Sequence, residues 1–291
     1  MIDPGIEGKV AVVTGINNPR GIGAAVCRAL AAQGVRVFGT YFPSDAAPHL
    51  PEQAERGVPG EALYRWLQAQ DASAVVESIR RIGGTIDAIE VDLGDVTSAA
   101  MVLARAQEAF GPVEILVNNA AYSVPDSLLP DAVTDGGPSA GGIAIQAFDV
   151  TGHDAHFAVN VRAPTLLIRD MARRHIARGG SWGRIVSIST DGASGFATEV
   201  SYGASKHALE SVSRAAAAEL GPYGITSNVV SLGPIQTGYI PPAAERAIIS
   251  DTPLRRVGEP NDAADGVLFL VSEQARWITG QLIYVGGGHA M

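Results

Sequence analysis

Seven short apolar runs, separated by segments of helical spacing, constrain the fold of this chain more than any other feature. Most of the runs are rich in valine and isoleucine and carry few charges. Such runs are typical of strands buried on both faces of a parallel sheet. They are Val10–Val13, Val35–Phe38, Ile86–Val91, Val113–Val117, Arg184–Ser189, Ile225–Leu232 and Gln281–Val285.

Helical periodicity fills the gaps between the first of these runs. Apolar residues between 22 and 30 follow the i, i+3, i+4, i+7 spacing of an amphipathic helix, which Gly34 can end. The stretches 72–82 and 96–110 repeat that spacing. Parallel strands need right-handed crossovers that cover both sheet faces. The pattern therefore predicts a Rossmann-type, doubly wound parallel sheet in three α/β/α layers, with residues 1–291 in a single domain.

Composition limits the partners that we expect. The 291 residues carry a formal net charge of −9, and nucleic acid or an anionic membrane surface would demand a basic face. No apolar stretch reaches the roughly 18 residues of a membrane span, and the first residues are not a signal peptide. Cys27 is the only cysteine, and no spacing typical of metal ligands occurs. We therefore expect a cytoplasmic protein with no metal site.

Two segments interrupt the alternation of strands and helices. Residues 43–70 contain four prolines, and the end of the segment, 61–70, could form a short helix. Residues 123–149 contain the glycine-rich stretch TDGGPSAGGIA. Both segments follow predicted strands, and loops at the carboxyl ends of such strands line the ligand crevice. Each segment is either a wall of the site or a tolerated surface insertion, and the sequence leaves both alternatives open.

The stretch TGINNPRGIG, residues 14–23, lies between the first predicted strand and the first predicted helix. Glycines let a backbone approach a pyrophosphate closely, and a helix N-terminus offers free N–H groups and a positive dipole end to it. A glycine pattern by itself is weak evidence, but here the strand–turn–helix context is present. We predict that Gly15, Gly21 and Gly23 form a dinucleotide-binding turn.

The stretch YGASK places Tyr202 and Lys206 four residues apart in front of a helical pattern. One helical turn separates them, so the two side chains share a face. Lysine is scarce, since Lys9 is the only other one. A phenol has a pKa near 10, and a neighbouring ammonium is expected to lower it. The tyrosine could then exchange a proton with an alcohol or carbonyl oxygen.

These motifs, in this order, resemble those of the short-chain dehydrogenase/reductase family. The resemblance runs from GKVAVVTG to ITGQLIYVGGG, and further markers are VDL at 91–93, NNAA at 118–121, FAVNVRAP, GRIVSIST at 183–190 and SLGPIQTG at 231–238. The most similar group is that of the 3-oxoacyl-carrier-protein reductases. The resemblance implies an NAD(P)(H)-dependent oxidoreductase that reduces a ketone to an alcohol, and a homodimer or homotetramer.

The resemblance also implies catalytic roles. Tyr202 is the general acid/base, Lys206 lowers its pKa and holds the nicotinamide ribose, and Asn160 anchors a water in a proton relay. A hydroxyl at the end of the fifth predicted strand holds the substrate oxygen. The usual distance from Tyr202 indicates Ser189 for this role, whereas the strand register indicates Thr190. Ser189 and Thr190 both remain candidates for this role.

A cofactor-binding set follows from the same resemblance. Asp92 meets the adenine, residues 118–120 line the ribose side, and Thr237 binds the nicotinamide carboxamide or the diphosphate. The complete set is Gly15, Asn17, Arg20, Gly21, Ile22, Gly23, Tyr41, Asp92, Leu93, Asn119, Ala120, Ala121, Tyr202, Lys206, Gly233, Ile235 and Thr237.

The glycine turn departs from the family pattern. Five residues separate Gly15 from Gly21, where three are usual, and we expect the inserted residues 17–19 to bulge outward. The second strand ends in FGTYF without an acidic residue before Asp45, and Arg20 adds a positive charge. An acid at this point would grip the ribose hydroxyls and repel a 2′-phosphate. These residues favour NADP(H), with NAD as the alternative.

The substrate is not evident from the sequence. We expect a small-molecule carbonyl or alcohol, either a small or medium ketone or a 3-oxoacyl thioester, beneath a lid near residues 235–252. Fold by itself does not prove activity, so a catalytically silent NADP-binding regulator or sensor is the alternative function.

Overall fold

The computed structural model describes residues 3–44, 52, 56–130 and 144–289. Its strands, in chain order, are β1 (Val10–Thr14), β2 (Arg36–Tyr41), β3 (Ile86–Glu90), β4 (Ile115–Asn118), β5 (Asp126–Ser127), β6 (Gln146–Ala147), β7 (Gly183–Thr190), β8 (Ile225–Leu232) and β9 (Leu282–Val285). Seven of them form one sheet in the order β3-β2-β1-β4-β7-β8-β9, and β5 pairs with β6 separately. All the pairings are parallel.

The described helices lie between the strands along the chain. They are α1 (Ile22–Ala31), α2 (Glu61–Gln68), α3 (Ser73–Arg81), α4 (Ser98–Phe110), α5 (Val150–Phe157), α6 (Ala163–Ala177), α7 (Val200–Leu220), α8 (Pro242–Asp251) and α9 (Pro260–Val271). A π-helical turn, Ala158–Arg162, joins α5 to α6. Within the part of the chain that the structure describes, no helix combines the length and apolar character needed to cross a membrane.

Helices cover both faces of the sheet. Alternate residues of β1 point to opposite faces, so Ala11 and Val13 pack in one apolar layer with α1, α3 and α9. Val10 and Val12 pack in the other layer with α4, α6 and α7. This two-sided burial explains why the strands read as continuous apolar runs rather than as alternating ones. The Rossmann-type, doubly wound single domain predicted from the sequence is confirmed, and every predicted run overlaps one strand of the sheet.

The two irregular segments contain regular structure where they are described. The stretch expected to form a short helix contains α2, and the backbone N–H of Gly60 before it donates to the carbonyl of Gly238 at 2.9 Å. Leu63 and Leu67 of α2 are buried, and a Cβ on Gly238 would lie 2.8 Å from Leu67. Helix α2 therefore packs against the loop after β8. Of the glycine-rich stretch at 134–144, all but Ala144 lies outside the described residues.

Candidate active site

The turn between β1 and α1 lies where the strand order reverses, since β1 neighbours both β2 and β4. Gly15 has a φ of +74°, a conformation that favours glycine. A Cβ on Gly23 would lie 2.2 Å from the carbonyl oxygen of Gly15. The tight turn therefore requires glycine at both positions. Such a reversal point is the usual ligand crevice of an open α/β sheet.

Hydrogen bonds from β4 hold this turn in place. The Thr14 hydroxyl accepts hydrogen bonds from the backbone N–H groups of Asn119 at 3.0 Å and Ala120 at 2.9 Å. The Asn119 side-chain amide donates to the carbonyls of Thr14 at 2.8 Å and Gly15 at 2.9 Å. These bonds connect the end of β1 to the residues after β4. They also give hydrogen-bond partners to polar groups that are buried away from water.

The expectation that residues 17–19 bulge outward is wrong for the two asparagines, because Asn17 and Asn18 are each only 5% exposed. The Asn17 amide donates to the carbonyl of Gln68 at 2.6 Å, and the Asn18 amide donates to the carbonyl of Thr237 at 3.1 Å. The insertion turns inward because these amides bind backbone carbonyls of α2 and of the loop after β8. Arg20 is exposed at the same turn.

The first turn of α1 is open to an anion. Gly21 is its N-cap, and the first turn has neither a side-chain cap nor an acidic residue. The backbone N–H groups there, including those of Ile22 and Gly23, carry the positive end of the helix dipole. The geometry fits a phosphate, because a turn that only glycine can form leads directly into this helix end.

Other residues of the predicted cofactor set lie at neighbouring strand ends. Tyr41 is the last residue of β2, while Asp92 and Leu93 follow β3. The Asp92 carboxylate accepts a hydrogen bond from the Gly94 N–H at 2.7 Å. Five positions follow the ends of β4 and β8, namely Asn119, Ala120, Ala121, Gly233 and Ile235.

Tyr202 and Lys206 lie on the same face in the first turns of α7. Lys206 is buried, and its ammonium donates to the carbonyl of Ile188 at 2.8 Å. The same ammonium lies 5.6 Å from the centroid of the Tyr202 ring. Burial lowers the pKa of Lys206 to about 8, against the attraction of Glu210, which raises it.

The pKa of Tyr202 is raised, not lowered as the sequence predicts. Burial of the phenol is the main cause, and the charge of Glu199 is the second. Tyr64, Tyr239 and Asp191 add to the effect. The ammonium of Lys206 does not reverse this balance, because desolvation and the nearby acidic groups both disfavour the phenolate.

Asn160 is fully buried in the π-helical turn between α5 and α6. Its carbonyl accepts from the Tyr122 N–H at 2.8 Å, and its amide donates to the Tyr122 carbonyl at 2.9 Å. The amide also donates to the Ser205 hydroxyl at 2.9 Å. Isolated π-helical turns often mark functional positions in helices. Here the turn places Asn160 against α7. Its side chain contacts Ser205, which is the residue before Lys206.

The two hydroxyls at the end of β7 have different surroundings. Ser189 is buried, and its hydroxyl donates to the carboxylate of Glu210 at 2.6 Å. Ser187, which faces the same side by strand alternation, contacts the hydroxyl of Ser213 at 3.0 Å. Thr190 is the last residue of β7 and is only half-buried. Of these two hydroxyls, that of Thr190 is the partly exposed one, and its own hydrogen bonds, to Asp191 at 3.5 Å and from the Gly192 N–H at 3.4 Å, are long.

Aromatic and acidic side chains that the sequence patterns do not single out surround Tyr202. The Tyr64 ring of α2 lies 5.1 Å from the Tyr239 ring, and the Phe196 ring lies 6.2 Å from the Tyr202 ring. Burial and the charge of Asp126 raise the pKa of Glu199 to about 7. Tyr64 and Tyr239 come from segments that are distant in the chain, so no local spacing could have revealed them, whereas Phe196 and Glu199 lie within six residues of Tyr202.

His156, in α5, is a further ring beside Tyr202. Its ring lies 6.5 Å from the Tyr202 ring and 4.8 Å from the Tyr122 ring. Burial lowers the pKa of His156, and its Nε2 accepts from the Val124 N–H at 3.2 Å. A cavity of about 180 Å³ adjoins Tyr122 and His156. Among the described residues, no cluster of three or more histidine, cysteine or acidic side chains could hold a metal ion.

These elements define a class of protein: a parallel dinucleotide-type α/β domain with a glycine turn and a Tyr–Lys pair at the carboxyl end of its sheet. Known proteins of this class are similar to this chain. The family model described as Enoyl-(Acyl carrier protein) reductase matches residues 59–290. An uncharacterized oxidoreductase of Bacillus subtilis (strain 168) is 31% identical over 281 residues, 96% of each chain.

Two further relatives have more specific names. L-rhamnose 1-dehydrogenase (NAD(P)(+)) of Azotobacter vinelandii is 32% identical over 286 residues and 96% of each chain. The solved structure of a blue fluorescent protein from a metagenomic library, in complex with NADPH, is 31% identical with a TM-score of 0.74. That match covers 98% of this chain and 99% of the other. The chain belongs to the short-chain dehydrogenase/reductase family, as the sequence motifs predict, and is an oxidoreductase of that type.

Proposed function

We propose that this protein uses NADP(H) to reduce a ketone to an alcohol, with Tyr202 as the proton donor. The observation that carries the proposal is the shared face of Tyr202 and Lys206 at the sheet end that also holds the glycine turn. The bound nicotinamide supplies the hydride. The protein's own residues bind the cofactor, hold the carbonyl and deliver the proton.

The glycine turn would hold the cofactor's diphosphate. Gly15, Gly21 and Gly23 let the turn close tightly on its own backbone and on Ala120, and the uncapped N-terminus of α1 would face the phosphate oxygens with its N–H groups. Asp92 would contact the adenine, and Thr237 would contact the nicotinamide carboxamide or the diphosphate. The remaining members of the predicted cofactor set would line the path between these two ends.

Tyr202 suits proton donation to a carbonyl oxygen. Its raised pKa keeps the phenol protonated at neutral pH, and this is the form that a reduction consumes. Thr190 would hold the same oxygen, because the Ser189 hydroxyl is occupied by Glu210. Lys206 would bind the ribose and stabilise negative charge on Tyr202 after the proton has left. Asn160 would anchor the water that restores the proton.

We propose NADP(H) rather than NAD(H) on the strength of Arg20, an exposed cation at the glycine turn. The related blue fluorescent protein was solved with NADPH. Two carboxylates near the end of β2 act in the opposite direction, since after burial the charges of Glu90 and Asp71 are the next causes of the raised pKa of Tyr41. The test is the dissociation constant of each cofactor for the Arg20→Ala variant. We expect binding of NADPH, not NADH, to weaken about tenfold.

The surroundings of Tyr202 favour an uncharged substrate. The charge of Asp191, and that of Glu199 once it is ionised above about pH 7, act on the Tyr202 phenol, so an anionic group beside the reacting carbonyl would be repelled. The aromatic rings of Tyr64 and Tyr239 suit a small or medium ketone. A 3-oxoacyl thioester is the alternative substrate. The L-rhamnose 1-dehydrogenase relative adds the sugar-derived carbonyl compounds to the panel.

We also propose that the protein is a homodimer or homotetramer. Several large apolar side chains are exposed on α4, α5 and α6, among them Met101, Val150 and Ile176. Burial of such side chains against a second copy would remove apolar surface from water. Measurement of the mass in solution by light scattering tests this assignment.

The reductase proposal is tested by following NADPH and NADH oxidation with a panel of ketones, diketones, quinones, sugar lactones and 3-oxoacyl thioesters. We expect native protein to turn over with NADPH, and Tyr202→Phe to lose turnover while it still binds NADPH. Tyr223→Phe, a change at an exposed tyrosine, is the matched control and should keep full activity. Full turnover by Tyr202→Phe would refute the proposal. Tight NADPH binding with no turnover of any compound would favour the alternative, a catalytically silent sensor.

A further inference from the structure

A buried carboxylate that no sequence motif singles out lies one helical turn beyond Lys206. Glu210 is on α7 and is 3% exposed. Tyr202, Lys206 and Glu210 are spaced four residues apart, so they form one stripe along the helix. Burying a carboxylate is costly unless polar partners compensate it. The surroundings of Glu210 therefore need a functional or structural explanation.

We propose that Glu210 is a positioning residue that keeps Lys206 in its charged form, and that Ser189 fixes the Glu210 carboxylate for this purpose. The inference rests on the proposed function, in which a charged Lys206 supports Tyr202 and binds the cofactor ribose. It assigns a role to Ser189 that differs from contact with the substrate.

The Glu210 carboxylate is held by two neighbours. Its Oε1 accepts the short hydrogen bond from the Ser189 hydroxyl, at 2.6 Å. Its Oε2 lies 3.4 Å from Nδ1 of His207, whose side chain is 60% exposed. A hydroxyl donor from β7 on one oxygen and an imidazole from α7 near the other restrict the carboxylate to one orientation.

Two consecutive residues of β7 contact Lys206 and Glu210. The Lys206 ammonium donates to the carbonyl of Ile188, and the next residue, Ser189, donates to Glu210. The end of β7 thus contacts both the Lys206 ammonium and the Glu210 carboxylate. Burial favours the neutral amine of Lys206, whereas the charge of Glu210 favours the ammonium.

The opposing effects of burial and of the Glu210 charge matter because the pKa of Lys206 is about 8, close to neutral pH. Removal of the Glu210 charge leaves burial unopposed, so the pKa of Lys206 falls further below its usual value. A neutral amine neither attracts a phenolate at Tyr202 nor donates from an ammonium to a ribose hydroxyl. Glu210 therefore extends the pH range over which the Tyr–Lys pair can work.

The small number of lysines permits a direct test. The chain contains only Lys9 and Lys206, so protein grown with lysine labelled with ¹³C at Cε gives two resonances, which Lys9→Arg assigns. Titration of the cofactor-free protein reports the pKa of Lys206 without any need for turnover. We expect Glu210→Gln to lower this pKa by about one unit. Glu219→Gln, at an exposed position on the same helix, is the matched control and should leave it unchanged.

Two further variants separate charge from packing. Glu210→Asp keeps the charge and should retain a pKa near the native value. Glu210→Met, an apolar replacement of similar size, should lower it as the glutamine does, and it serves as the second variant if Glu210→Gln does not fold. Ser189→Ala should lower it by a few tenths of a unit, because the carboxylate loses its orienting donor. Superimposable Lys206 titrations for native protein, Glu210→Gln and Glu210→Met would overturn the inference.

The kinetic counterpart is the alkaline limb of the rate of reduction. Reduction needs charged Lys206, so in Glu210→Gln the rate should begin to fall at a lower pH, by the same shift that the titration shows. A structural role alone would lower the rate equally at every pH. Failure of the two proposals is distinguishable, since retained turnover by Tyr202→Phe refutes the reductase mechanism, whereas the lysine titration tests Glu210 independently of turnover.

Discussion

The replacement Glu199→Gln should stabilise the folded protein at neutral pH and leave its stability at acid pH unchanged. Glu199 is partly buried at the N-cap of α7, beside the charge of Asp126. Both Asp126 oxygens bind Ser201, one through the backbone N–H at 2.9 Å and the other through the hydroxyl. The Asp126 carboxylate therefore lies at the start of the helix, and after burial its charge is the second cause of the raised pKa of Glu199.

The size of the effect follows from the pKa of Glu199. The pKa rises from 4.5 to about 7 on folding. At about 1.4 kcal/mol per pKa unit, the penalty for ionising Glu199 in the folded state is about 3.5 kcal/mol. Because Glu199 keeps part of its surface exposed, solvent screening makes this an upper value. Glutamine has the shape of the protonated acid and carries no such penalty.

The sign of the pH dependence is set by proton binding. Below pH 4.5 Glu199 is protonated in both folded and unfolded chains, so its contribution to stability is fully present. Between pH 4.5 and about 7 the unfolded chain loses this proton while the folded chain keeps it. Stability contributed by this group is therefore lost as the pH rises through that window. Above it, native protein should remain less stable than Glu199→Gln by a constant amount.

The assay is urea unfolding at a series of pH values from 4 to 8, followed by circular dichroism. The difference in unfolding free energy between Glu199→Gln and native protein should grow from near zero to at most about 3.5 kcal/mol across this range. Glu77→Gln, at an exposed site on α3, is the control and should show no such growth. Asp126→Asn should shrink the gap, because it removes the charge that raises the pKa of Glu199. A gap independent of pH would refute the reasoning.

Three other changes test separate parts of the structure. Thr190→Ala should lower kcat/KM for reduction about 100-fold, whereas Ser189→Ala should keep most of the rate at pH 7, and equal losses would contradict the assignment of the two hydroxyls. Gly23→Ala should destabilise the protein by about 2 kcal/mol and weaken cofactor binding, since its Cβ would lie 2.2 Å from a carbonyl oxygen. Gly195→Ala, with open space around it, is the control for thermal unfolding and cofactor titration. Cys27 is fully buried and its pKa is raised, so a thiol reagent should modify it only in denaturant, and rapid labelling of native protein would disprove its burial.

Local patterns were sufficient to predict the main elements of the fold. The valine-rich runs and the intervening helical spacing predict the strands of the sheet, because strands buried on both faces need apolar residues at nearly every position. The glycine turn and the Tyr–Lys spacing are equally local, since each depends on residues within a few positions of one another. The strand ends were less accurate. Strand β4 begins at Ile115, two residues after the start of the predicted run at Val113, because Ile115 is the first residue that pairs with β1 and β7.

The sequence by itself determined the doubly wound sheet, the position of the glycine turn and the placement of Tyr202 and Lys206 on one helical face. Tertiary structure decided which partners these groups meet. Ser189 binds Glu210 across 21 positions, and Asn18 reaches the Thr237 carbonyl across 219. The pKa of Tyr202 is raised first by burial, which the tertiary structure decides, and then by the charge of Glu199, three residues before it in the chain. Burial and charge depend on neighbours in space, whereas a spacing pattern records only neighbours along the chain.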